Sequence, residues 1–135
     1  MFNSDQFYEY IEKNKNREFK YGVWDCFTFV GGYWDQRSGK EFFPHFKNKY
    51  MTYRGYRRVL KNEGYSSLLE LMKNNYGEVG TELCNRGDVV VYRDCLGLCD
   101  GVDSIFLGRG RGRDYSFILT KKCTAFDVCG SHHNG

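Results

Sequence analysis

Apolar positions recur at helical spacing over the first half of the chain and in short β-branched runs over the second. Phe7, Tyr8 and Ile11 share one helical face, and Ser4 stands where an N-cap belongs, so residues 4–14 are expected to form a helix. Asn14 to Lys20 is polar and reads as a connecting loop. An aromatic turn, Tyr21-Gly22-Val23-Trp24, then leads into Asp25-Cys26 and a mostly apolar run to Trp34. Asp is a strong N-cap, because its carboxylate accepts from the orphan N–H groups of a first turn. Cys26, Val30 and Tyr33/Trp34 mark one face of that helix, and Phe27 and Phe29 widen it. A helix apolar nearly all round is central and covered. Gly31-Gly32 permits close backbone packing, and Ser38-Gly39-Lys40 ends the segment. A loop over 41–48 carries Pro44 and His45. Residues 51–63 give a third helix, with a Tyr53, Tyr56, Leu60 stripe and a basic face of Arg54, Arg57, Arg58 and Lys61. Gly64 stops it. Ser66 is expected to cap a fourth helix, with Leu68, Leu69, Leu71 and Met72 apolar, ending near Tyr76-Gly77.

The texture then changes to strands. Val89-Val90-Val91-Tyr92 follows Gly87-Asp88; Leu96 to Cys99, Ser104 to Leu107, Tyr115 to Leu119 and Ala125 to Val128 follow in turn. Asp100-Gly101 is a hairpin signal. Helices first and strands second predict an α+β fold, with N-terminal helices packed on a C-terminal antiparallel β-meander. One domain over 1–135 is expected, with 130–135 a flexible polar tail.

Composition adds bounds. Aromatics are 18% of the chain, enough large side chains to build a core at 41% hydrophobic content. The net charge of +3 divides unevenly: residues 1–67 hold 12 Lys+Arg against 8 Asp+Glu, and residues 68–135 hold 8 against 9. That front-half excess is too weak for a dedicated nucleic-acid binder. No secretory signal and no apolar stretch of spanning length is visible, so synthesis in a host cytoplasm with no membrane span is expected.

Six cysteines, Cys26, Cys84, Cys95, Cys99, Cys123 and Cys129, without a secretory signal are expected to be mostly reduced. Cys26 falls at the first position of a helix, where the dipole favours a thiolate. It reads either as a nucleophile or as a small buried hydrophobe. His45, His132 and His133 are the imidazoles available as a base, His45 the one singled out. Asp25 reads as a cap rather than an acid. Cys95, Cys99, Cys123 and Cys129, with His132-His133, raise a zinc site as the alternative to packed core cysteines, which are favoured because the spacings match no finger pattern. Cofactors are therefore expected to be none. The alternating Gly108 to Arg113 run reads as a hairpin loop rather than an RNA-binding repeat.

Asp25-Cys26-Phe27-Thr28-Phe29-Val30, then Gly87-Asp88-Val89-Val90-Val91-Tyr92, then Cys95-Leu96-Gly97-Leu98-Cys99-Asp100-Gly101 resemble, in order and spacing, the three motifs of NlpC-type cysteine peptidases. These are small papain-like enzymes that cut peptidoglycan peptides, with motifs of the form DCSGFV, GDLVFF and HVGIYLG. The resemblance covers roughly residues 20–120 and is nearest to a branch found in phage genomes, often among tail genes. It implies a papain-like fold in which Asp25, Gly87 and Asp88 are structural and Cys26 holds the nucleophile position. Cys95 stands where the family's general-base histidine opens its strand. The expectation is a phage virion component, of the tail or a tail adaptor, without hydrolase activity and partnered by other tail proteins. The alternative is a tail-associated cysteine hydrolase that cleaves peptidoglycan peptides with Cys26 as nucleophile.

Overall fold

The computed structural model describes residues 4–39, 46–107 and 115–128. Four helices come first: α1 (Ser4–Lys13), α2 (Cys26–Ser38), α3 (Tyr53–Asn62) and α4 (Leu68–Asn75). Six strands follow: β1 (Gly77–Val79), β2 (Val89–Tyr92), β3 (Cys95–Cys99), β4 (Asp103–Leu107), β5 (Tyr115–Leu119) and β6 (Thr124–Asp127). All pairings are antiparallel, so the protein is α+β.

The sheet order is β1-β6-β2-β3-β4-β5. Strands β2 to β5 form the expected meander, but β6 leaves it. It returns across the sheet to lie between β1 and β2, with Val79↔Ala125 on one side and Val90↔Ala125 on the other. Strand β1 has no counterpart in the sequence expectation, because three residues are too few to show an alternation.

Period-two alternation places the two sides of the sheet in different surroundings. Val89, Val91, Leu96, Leu98, Ile105 and Phe126 join the main core beneath the helices. Val90, Cys99, Phe106 and Ala125 form a second, smaller cluster. Helix α2 is central, packed on β3 and β4. Its Phe27, Phe29, Val30, Tyr33 and Trp34 are all buried. Trp34 also reaches the sheet through its indole N–H, which donates to the Gly87 carbonyl at 3.1 Å.

Local chemistry sets the helix starts. Ser67, not Ser66, caps α4, its hydroxyl accepting from Glu70 N–H; Ser66 instead donates its hydroxyl to the Glu70 carboxylate at 3.0 Å. Neighbouring serines compete for one cap, and Ser67 has the extended backbone (φ −156°) that the position needs. Arg57, expected on a solvated basic face, is engaged: its guanidinium pairs with Asp94 at 2.9 Å and donates to the Ser66 carbonyl at 2.8 Å. Asp94 and Arg93 form the β2–β3 turn with positive φ of 58° and 48°, a conformation that fits the right-handed twist of a tight hairpin. Among the described residues, no helix is long and apolar enough to cross a membrane.

Candidate functional site

Cys26 is held by the turn before it. Lys20 and Trp24 exchange backbone hydrogen bonds of 2.8 and 2.7 Å, closing Tyr21–Val23 into a loop. Asp25 ends that loop as the N-cap of α2, in extended backbone. Its carboxylate accepts from Thr28 N–H at 2.9 Å, while the Thr28 hydroxyl accepts from Asp25 N–H at 2.7 Å. This is a reciprocal capping box with threonine in the place usually taken by Glu or Gln. The second carboxylate oxygen accepts from Gly22 N–H at 2.9 Å and from the Tyr50 hydroxyl at 2.6 Å. Asp25 is only 3% exposed and its oxygens are committed to these donors. The carboxylate is structural: it fixes the direction in which Cys26 leaves the helix start.

The Cys26 thiol meets Cys95, the first residue of β3. Both are reduced and half-buried, and both line a cavity of about 30 Å³. A cavity of that size holds a few water molecules at most. Its walls are aromatic, from Phe19, Tyr21, Tyr50, Tyr53 and Tyr56, with Asp94 at the rim. The Leu96 N–H also donates to the Cys26 sulfur; Leu96 lies one residue beyond the β3–β4 ladder, whose first pair is Gly97↔Phe106. Tyr56 is 6% exposed, and its buried hydroxyl has no hydrogen-bond partner among the described residues. An orphaned buried hydroxyl costs about 1–3 kcal/mol, so its retention in this cavity calls for an explanation.

Electrostatics reverse the expectation from the helix dipole. The Cys26 thiol is pushed well above the ordinary cysteine range. Hydrogen bonding with the Cys95 thiol is the largest cause, then burial, then the charges of Cys95 and Asp25; only the Leu96 N–H pulls the other way. The neighbouring tyrosines are raised as well, Tyr50 and Tyr56 chiefly by burial. Cys26 is thus a thiol at neutral pH, because the partial charge of a helix end is a smaller effect than a second thiol and an adjacent carboxylate.

A measurable pH dependence follows. Iodoacetamide reacts with the thiolate, so the alkylation rate of Cys26 is expected to rise about tenfold per pH unit from 7 to 9 without levelling off. A plateau below pH 8 would show a thiolate at neutral pH and overturn this assignment. The same shift affects stability. The folded chain binds this proton more tightly than the unfolded chain, so the stabilisation is complete below the unfolded value of about 8.5 and is lost as pH rises toward the folded one.

The other sequence candidates fall elsewhere. Asp88 is buried, and its carboxylate accepts from Asn85 N–H at 2.8 Å. Gly87 takes φ 94° and its carbonyl receives Trp34; both residues fix the entry to β2. Cys99 has Cys84 as its thiol neighbour, in the smaller cluster that also receives Cys123. The Cys84 thiol, the Gly101 N–H at 3.3 Å and the Thr120 hydroxyl bring Cys99 down to about 7 against its burial. Burial and the Cys99 charge push Cys123 up to about 11. Of the zinc set Cys95, Cys99, Cys123 and Cys129, the first three pack with the same smaller cluster, Cys95 also meeting Cys26 and Cys99 meeting Cys84, and Cys129 lies outside the described residues. Among the described residues, no three His, Cys, Asp or Glu are grouped to hold a metal ion. His45, His132, His133 and the Gly108–Arg113 run also lie outside the described residues.

Sequence reasoning missed Tyr50 and the orientation of Tyr56. Tyr50 belongs to no periodic element, so no pattern marks it; the richness in tyrosine, Tyr 11 in all, was the available signal. Tyr56 shows as a core position on α3, but not that it lines the cavity at Cys26.

No curated protein and no solved structure matches the chain. A family match is found over residues 3–128, which takes in all four helices and all six strands. On that match the chain belongs to the DUF6950 family, a domain of unknown function.

Proposed function

We propose that the protein is a phage virion component, of the tail or a tail adaptor, built on a papain-like NlpC-type fold and working without hydrolase activity. The observation that carries this reading is the pairing of Cys26 with Cys95. The Asp25-Cys26 helix start and the Gly87-Asp88 strand are the segments that resemble the peptidase motifs, and on that resemblance a second thiol, Cys95, stands at the position of the base. A thiol that raises its neighbour does the opposite of a general base, which lowers the nucleophile's pKa or removes its proton. The cavity at the thiol is small, about 30 Å³, and its walls are aromatic. Phage association and tail partners come from the motif resemblance, and exposed Tyr53 and Tyr8 suit an interface.

The experiment has two readouts. Purified protein incubated with peptidoglycan is expected to release no peptide above a buffer control, and Cys26→Ala to behave identically. Mass spectrometry of purified virions is expected to find the protein at a fixed copy number. Peptide release that Cys26→Ala abolishes would establish the alternative, a tail-associated cysteine hydrolase. Absence from virions would overturn the structural role.

A further inference from the structure

We propose that Cys26 and Cys95 form a thiol–disulfide exchange site that takes a low-molecular-weight disulfide, such as oxidised glutathione, and closes to an intramolecular Cys26–Cys95 bond. This does not depend on the tail assignment. The two thiols come from distant parts of the chain, one opening α2 and one opening β3, and meet across a single small cavity. Each is half-buried, so each is partly open to a small reagent.

The surroundings contain the donors that the chemistry requires. Exchange needs a sulfur anion, and the Cys26 sulfur faces the Leu96 N–H and the first turn of α2. Tyr56 lines the same cavity, and its buried hydroxyl has no hydrogen-bond partner among the described residues.

The steps balance. The Cys95 sulfur, having lost its proton, attacks RS–SR; an S–S bond breaks, RS⁻ leaves and takes up a proton, and Cys95 carries a mixed disulfide. Cys26 then loses its proton, and its sulfur attacks the Cys95 sulfur and expels the second RS⁻, which is protonated in turn. Two protein thiols are oxidised and one small disulfide is reduced to two RSH. Because Cys26 is mostly protonated at neutral pH, closure is slow there and quickens as pH rises.

The test exposes the full chain to oxidised glutathione, quenches in acid and maps peptides without reduction. A Cys26–Cys95 cross-link that dithiothreitol reverses is expected. Cys26→Ala is expected to stop at glutathionylated Cys95. The Cys84–Cys99 pair is the internal reference, since Cys99 is fully buried. If Cys26 and Cys95 both stay reduced, or if Cys84 and Cys99 cross-link while Cys26 stays reduced, the proposal fails. Should Cys26→Ala not fold, the wild-type map and its reversal by dithiothreitol decide alone.

Discussion

Asp25→Ala is expected to lower stability by about 4 kcal/mol, near the upper end for a single substitution. The reason is the number of groups that one buried carboxylate satisfies. Thr28 N–H, Gly22 N–H and the Tyr50 hydroxyl all donate to it, at 2.9, 2.9 and 2.6 Å. Loss of an N-cap alone costs about 1 kcal/mol. The two further donors are left buried, at about 1–3 kcal/mol each, and water entering the new space recovers part of that. Asp25→Asn keeps one acceptor oxygen but sets an NH₂ group against a donor, so about half the loss is expected. Tyr50→Phe removes only one bond to a charged acceptor, about 1.5–3 kcal/mol. Urea unfolding with an unchanged m-value measures all three. The Asp25/Tyr50 double mutant should fall well short of the sum, because the partners share one network. A loss under about 1 kcal/mol for Asp25→Ala would mean that the cap is not what orders the turn.

This dense network was legible in part. Asp25 as a cap followed from its place before an apolar run; the part of Thr28 in the box is seen only in the structure. The four helices followed from periodicity, and β2 to β5 from β-branched runs divided by turn residues. Long-range choices were not legible. Strand β6 lies between β1 and β2 because Phe126 and Ala125 find Val89 and Val90 on one side and Glu78 and Val79 on the other. No local pattern records which edge a late strand will take. The acceptor role of Asp94 is similar: it takes Leu68 N–H at 2.7 Å and pairs with Arg57, joining the β2–β3 turn to α3 and the start of α4. In sequence it reads only as a turn residue.

The candidate site shows the same division. The position of Cys26 was readable, and its protonation was not. Helix-start logic argued for a thiolate, and it fails here because it counts only the groups of one element. The deciding groups are Cys95 on a strand, burial, and the charge of the neighbouring Asp25 carboxylate. The Tyr8 hydroxyl, donating to Asp100 at 3.0 Å, and the Tyr115 hydroxyl, donating to the Ile11 carbonyl at 2.7 Å, likewise tie α1 to the sheet through side chains that periodicity counts only as apolar.

Gly22→Ala is expected to be about as damaging as Asp25→Ala, and Gly39→Ala is the control that explains why. Both glycines have positive φ, 82° and 72°. Left-handed backbone costs an alanine about 1–2 kcal/mol at either place. A Cβ on Gly39 meets nothing within 4 Å, so that strain is the whole effect. A Cβ on Gly22 lies 2.1 Å from the Tyr50 carbonyl oxygen, and the opposing atom is backbone. Neither side can yield cheaply. Gly22 N–H is bonded to Asp25, its carbonyl receives Asn48 N–H at 3.0 Å, and Tyr50 holds the other carboxylate contact. Relief of the clash must pull the 46–50 turn from the Tyr21–Trp24 loop and break the Tyr50–Asp25 bond with it. A total of about 4 kcal/mol is therefore expected for Gly22→Ala, against about 1 for Gly39→Ala. The Tyr50 displacement also opens the thiol cavity, so Cys26 in Gly22→Ala should alkylate faster than in wild type at the same pH, while in Gly39→Ala it should not. Equal midpoints for the two variants would show that the 46–50 turn moves freely and does not brace the helix start.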